Sequence, residues 1–202
     1  MKIYIKKYPS HLSILNIYIY ICKNIKDMSY NKLVCFDFDG TLCFTPEPIE
    51  GEKIFLAKTG NQWPYNGWWG KTESIDMDIF HIPVNQWVYK KYLEAVAEPN
   101  TYIILATGRL EKVPGMRENV ERILESHNLS FDEVYLNTGG DTYRFKTKLF
   151  EDLIEKLGVK EFTMYDDRHE HLVKFETWAI DQPSDVNIVD VVNKKTKTIT
   201  NL

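Results

Sequence analysis

Four stretches of this chain place reactive polar groups at the ends of apolar runs. The first is Asp37-Phe38-Asp39-Gly40-Thr41, closing the run at residues 33–38. Carboxylates at i and i+2 of an extended segment point to the same side. One can attack phosphorus while the other handles a proton. Gly40 permits the abrupt backbone turn that follows. Charge inside so apolar a run is costly unless it is paired or binds a metal. The second stretch is Thr107-Gly108-Arg109, after Ile103-Ile104-Leu105-Ala106. A hydroxyl and a backbone N–H at a strand end can hold a phosphoryl oxygen, although Thr-Gly also simply ends strands. The third is Lys146, expected to open a helix, where it can neutralise phosphate or nucleophile charge. Arg144 and Lys148 are its neighbours and rivals. The fourth is Asp166-Asp167-Arg168, after the run 162–165. Paired acids there suit a hard cation such as Mg²⁺, and a single acid would already suffice as a helix cap.

These groups need elements to bring them together. Short runs rich in β-branched and aromatic residues predict buried strands at 33–38, 102–106, 131–136 and 162–165, with late strands at 178–180 and 186–192. Helical spacing predicts helices at 84–97, 116–127 and 146–157, and a further one at 169–176. Gly158 supplies a helix stop. Residues 137–145 read as a polar loop. Residues 51–80 read as irregular, within an aromatic, Gly-rich insertion spanning about 45–82. Alternating strands and helices predict an α/β fold: a Rossmann-like parallel sheet with helices on both faces. Ligands bind such sheets at the C-terminal strand ends, where three of the four polar stretches fall.

Composition agrees with a domain of this kind. The chain has 202 residues, 44% apolar and 27% charged, with a net charge of −4. That size suits one domain, and the acidic balance gives no global case for nucleic-acid binding. Residues 1–27 carry a net +4 and the remainder −8. We expect residues 1–29 to form a poorly ordered basic extension, 30–193 the folded domain and 194–202 a frayed polar tail. The N-terminal segment imitates a signal peptide only loosely: Asn16 interrupts it and no small-residue cleavage site follows. It is also too short to span a membrane. Cys22, Cys35 and Cys43 match no zinc or disulfide framework. Cys35 reads as a small buried hydrophobe in a reducing, cytoplasmic setting.

The ordered set Asp37-x-Asp39-Gly40-Thr41, Thr107, Lys146 and Asp166-Asp167 resembles the four motifs of the haloacid dehalogenase superfamily. The resemblance implies an aspartyl-phosphate on Asp37 and general acid–base work by Asp39. It implies phosphoryl binding by Thr107, Gly108 and Lys146, and Mg²⁺ held by Asp37, Asp39 through its carbonyl oxygen, and Asp166 or Asp167. An aspartate at position 39 is similar to the phosphatase and phosphomutase branch; dehalogenases lack an acid there. Further likeness comes from Thr45-Pro46-x-Pro48, Gly67-Trp68-Trp69, Thr142-x-x-Phe145-Lys146 and Tyr165-Asp166-Asp167-Arg168-x-x-His171. Together they resemble the haloacid-dehalogenase-type domain of "Swiss Army Knife" RNA-repair proteins. One departure is Asp166, where that family often has glutamate. The likeness implies a phosphatase acting on a phosphorylated small molecule, a nucleotide or a nucleic-acid end. The alternative is a catalytically silent module that binds RNA or protein.

Trp63, Trp68 and Trp69 can form the core of a cap over the site or stack on bases. Trp68, Trp69, Arg109 and Arg168 are therefore the candidate substrate and cap residues. Arg109, Lys112, Arg144 and Lys148 are expected near the mouth. Gly70-Lys71-Thr72 imitates a phosphate-binding loop but lacks its first glycine and its leading strand. His169 and His171 face different ways on a helix, which argues against zinc.

Overall fold

The computed structural model describes residues 30–201. At its centre lies β1 (Lys32–Phe36), flanked by β2 (Thr101–Leu110) and β4 (Glu161–Asp166). β3 (Glu133–Asn137) lies outside β2, and β5 (Asp185–Asp190) outside β4. These five strands are parallel; β6 (Lys195–Ile199) completes the sheet as an antiparallel edge. The order β3-β2-β1-β4-β5-β6 reverses direction at β1, so the chain leaves the C-terminal ends of β1, β2 and β4 around one crevice.

Both faces of β1 are covered, which explains its unbroken apolar run. Val34 and Phe36 pack into one core with Ile103 and Leu105 of β2. That core includes α2 (Gln86–Ala97) and α3 (Met116–Ser126). Leu33 and Cys35 face the other core, with α4 (Thr142–Leu157) and α5 (His169–Ala179). Alternation with period two therefore persists within a run that looks uniformly apolar. Each fully buried side chain of this kind contributes roughly 1.5–3 kcal/mol. Cys35 and Cys43 are buried free thiols, and burial raises the pKa of both, Cys43 to about 12.

Four expectations need correction. Residues 51–80 are not wholly irregular: α1 (Pro48–Thr59) and a short 3₁₀ turn (Thr72–Ile75) lie in the insertion. Pro48 in the first turn and Gly60 in the left-handed conformation frame α1. Of its residues only Gly51 and Phe55 are buried, so it has no apolar stripe to read. α4 begins at Thr142, four residues earlier than expected, because the Asp141 side chain accepts from the Arg144 N–H at 3.0 Å and caps it. Trp178 lies in the last turn of α5 rather than starting a strand; its ring packs on Phe150, Phe162 and Phe175. Residues 195–199 are a strand and not a frayed tail. Their side chains are mostly exposed, so pairing with β5 rather than burial holds them, and their lysines blunt the free edge. The expectations for residues 1–29, Cys22 among them, lie outside the described residues.

The insertion has a small aromatic core of its own. Trp68 is 4% exposed, its indole N–H donates to the Pro46 carbonyl at 2.8 Å, and its ring meets Trp63 and Phe80. A Cβ on Gly51 would lie 2.1 Å from the Trp68 ring, so glycine is what lets α1 approach it.

Candidate active site

The crevice holds two charge clusters, one around each carboxylate of the first motif. β1 ends at Phe36, so Asp37 lies just past it, its N–H donating to the Tyr165 carbonyl at 3.0 Å. Asp39 lies in the following turn, bridged to Cys43. Because the strand has ended, the two carboxylates take different partners. Asp37 meets Lys146 and Asp166, whereas Asp39 meets Arg109 and Thr45.

In the first cluster the Lys146 ammonium donates to Asp37 Oδ1 and Asp166 Oδ2, both at 2.7 Å. Lys146 is 2% exposed and Asp166 is fully buried. Lys146 reaches this point from the second turn of α4 rather than from its opening residue. Burial disfavours its charge, but the Asp166 and Asp37 carboxylates overcome that and hold it protonated. Burial pushes the Asp37 carboxyl up to about 8; Lys146 opposes this, and Asp166 and Asp167 add to it. Asp167 is also raised, by burial and then by Asp166, against a 3.1 Å hydrogen bond donated by the Thr41 hydroxyl. Three carboxylates against one ammonium leave an excess of negative charge in a buried place.

Asp37, Asp166 and Asp167 each offer a carboxylate oxygen, and these lie within 4.8 Å of one another. A hard, all-oxygen donor set carrying surplus negative charge fits Mg²⁺. Asp166 has both oxygens engaged, since Oδ1 also accepts the Arg168 N–H at 2.9 Å. Asp167 is half-buried. Gly40 makes room for it: its φ is +70°, and a Cβ there would lie 2.4 Å from Asp167 Oδ2.

The second cluster centres on Arg109, which is 2% exposed. Its Nε donates to both Asp39 oxygens, at 3.1 and 3.0 Å, and Nη2 donates to Oδ1 at 2.7 Å. The Thr45 hydroxyl adds a 2.7 Å hydrogen bond to the same Oδ1. Nη1 donates to the Ser74 hydroxyl at 2.9 Å and the Trp69 carbonyl at 3.3 Å. Thr107 is fully buried, and its hydroxyl oxygen accepts the Arg109 N–H at 3.2 Å. Gly108 lies against Thr142; a Cβ would stand 2.9 Å from that hydroxyl.

The other candidates separate. Arg168 is exposed and paired with Glu170 at 3.2 Å; Lys148 is exposed and paired with Asp152 at 2.6 Å. Arg109, expected near the mouth, is buried inside the site. Trp68 is buried within the insertion, whereas Trp69 is 41% exposed. His171 is buried with Nδ1 unpaired, and burial and then Arg168 lower its pKa. Thr45, quoted above only for a resemblance, joins the site as a partner of Asp39, and Ser74 joins it through Arg109 without a sequence signal of its own.

Residues 53–201 match the family described as HAD domain family 1 in Swiss Army Knife RNA repair proteins. The chain belongs to this family. The matched span includes Thr107, Lys146, Asp166 and Asp167; Asp37 and Asp39 precede it and join the site through the contacts above. A relative is an uncharacterized protein of Saccharomyces cerevisiae, 25% identical over 182 residues, which cover 79% of this chain and 40% of the relative. Two solved structures of a Pnkp1/Rnl/Hen1 complex, one described as an RNA repair complex, share 22% identity with it. They cover 81% of this chain and 44% and 47% of theirs, with TM-scores of 0.49 and 0.51. At that identity the likeness with the score of 0.51 is one of fold alone. The chain spans less than half the length of these relatives. No helix among the described residues is long and apolar enough to cross a membrane.

Proposed function

We propose that this domain is a Mg²⁺-dependent phosphomonoesterase whose nucleophile is Asp37. The observation that carries the reading is the division of labour between the two aspartates. Asp37 sits in a buried cluster with a cation and two further acids, and Asp39 is held apart by Arg109. In the first step an Asp37 carboxylate oxygen forms a bond to phosphorus as the bond to the leaving alcohol breaks. Asp39 gives its proton to the departing oxygen. In the second step Asp39 takes a proton from water, whose oxygen attacks phosphorus and frees both phosphate and Asp37. Lys146 holds Asp37 in place and offsets phosphoryl charge, while Thr107 and the Gly108 N–H hold phosphoryl oxygens.

Asp37, the Asp39 carbonyl oxygen and Asp167 would hold Mg²⁺. Asp166 orients Lys146, since both its oxygens are already engaged. Bound there, the ion supplies positive charge that stabilises the transferring phosphoryl group. Membership of a family found in RNA repair proteins favours a phosphorylated nucleic-acid end over an unrelated small metabolite. The two buried free thiols suit a reducing, cytoplasmic setting.

The test is release of inorganic phosphate, with and without Mg²⁺, from an aryl phosphate, nucleotides and phosphate-ended oligonucleotides. Asp37→Asn is expected to abolish Mg²⁺-dependent release from all of them. Turnover retained in that variant would sink the mechanism. Oligonucleotide binding by the unmodified protein without any turnover would favour a silent binding module instead.

A further inference from the structure

One exposed aromatic side chain has no part in the chemistry above. Trp69 is 41% exposed, although its neighbours Trp63 and Trp68 pack into the insertion. Burial therefore does not account for an indole at this position. What distinguishes it is its partner. The Arg109 guanidinium lies 5.8 Å from the Trp69 ring centroid, within cation–π range, and donates to the Trp69 carbonyl at 3.3 Å. The same guanidinium holds both oxygens of Asp39. One buried arginine thus joins the exposed indole to the group assigned to protonate the leaving alcohol.

That connection places the indole relative to a substrate. Asp39 must reach the leaving oxygen, so the leaving alcohol departs beside Asp39. The phosphoryl group lies with Asp37 and Lys146. Trp69 is one guanidinium beyond Asp39, so it is on the leaving-group side of the site. A nucleoside leaving from that side would carry a flat base that can meet the flat indole. Arg109 also fixes the ring before a ligand arrives, which reduces the ordering cost of stacking. Stacking is tolerant of base identity, since every base presents a π-face.

We infer that Trp69 is a stacking platform for the base of the leaving nucleoside, and therefore that the substrate class is a nucleoside phosphomonoester, free or at a strand end. This inference rests on the hydrolytic reading above for the side on which the alcohol leaves. Trp69 selects the substrate, and Arg109 is a positioning residue between that selection and Asp39.

The experiment compares kcat/KM for adenosine monophosphate, for a single-stranded oligoribonucleotide ending in a phosphate, and for glycerol phosphate. The expected result is that Trp69→Ala lowers the nucleotide-to-glycerol-phosphate ratio about tenfold and Trp69→Phe restores most of it. An equal fall for the mononucleotide and the oligonucleotide supports stacking on the terminal base. A fall confined to the oligonucleotide overturns the terminal-base assignment, and an unchanged ratio overturns the platform altogether. Calorimetry separates this from the hydrolytic reading. In Asp37→Asn protein with Mg²⁺, Trp69→Ala should weaken adenosine monophosphate about tenfold relative to inorganic phosphate. If no ester is hydrolysed by the unmodified protein, the hydrolytic reading fails and this binding ratio alone decides the platform. A ratio that does not move overturns it.

Discussion

Lys146 is the residue on which most of the buried charge depends. Its ammonium touches two carboxylates at 2.7 Å, and all three groups are shielded from water. Removing one partner of a buried ion pair is costlier than never having built it, because the remaining charge stays desolvated. Lys146→Met should therefore lose about 3–5 kcal/mol of stability at neutral pH, measured by urea denaturation. The deficit should depend on pH. Burial already holds the Asp37 carboxyl above its unfolded value and Lys146 opposes that shift, so without the ammonium Asp37 titrates higher still in the folded chain. Stability is then retained below the unfolded carboxyl pKa and lost as pH rises above it, so the deficit should be larger at pH 8 than at pH 5. A deficit independent of pH would show that Lys146 contributes packing rather than charge compensation.

At the scale of elements, the insertion after β1 behaves as a small packed unit that borders the site. Trp68 anchors it, through its hydrogen bond to Pro46 and its contacts with Trp63 and Phe80. Trp68→Ala should cost about 3–5 kcal/mol, the range for truncating a buried aromatic residue, in a denaturation experiment. Trp69→Ala, one residue on, should cost far less stability, because that ring is 41% exposed. A similar loss for both would contradict the separation of anchor from platform. Strands β1 to β5, the helices α2 and α3 and the first turns of α5 were legible because packing on the sheet imposes a period. α1 was not, since its burial rests on Gly51 and Phe55 alone. The first turn of α4 was hidden by polar residues, and its Asp141 cap resembles any loop aspartate. β6 carries almost no burial signal and owes its form to β5 beside it.

For the whole molecule, the surplus negative charge at the crevice would couple the proposed metal binding to folding. Asp37 is pushed up to about 8 without an ion, so its ionised form is a liability that grows as pH rises from the ordinary carboxyl range towards 8. A divalent cation competes with that proton. Mg²⁺ at about 100 times its Kd should stabilise the fold by about 2.7 kcal/mol, a rise in Tm of roughly 5–10 °C. The shift should be larger at pH 8 than at pH 6, and Asp167→Asn should remove most of it. Differential scanning calorimetry with Mg²⁺ or with EDTA reads this directly. A Tm indifferent to Mg²⁺ at both pH values would remove the metal from the site.

By itself, the sequence determined which groups were available and where along the chain they fell. Carboxylates closing apolar runs are informative because desolvating an unpaired charge is so unfavourable that a local pattern betrays a site. The alternation of runs, and hence the parallel sheet, follows from local periodicity in the same way. Only the tertiary structure decided who meets whom. Arg109, 70 residues from Asp39 in the chain and expected only near the mouth, turned out to be its partner. Asp166 was committed to Lys146 and Asp167 left half-buried beside Gly40. Trp68 went inward and Trp69 outward. Such pairings depend on which strand ends the sheet order brings together, and no local pattern carries that information.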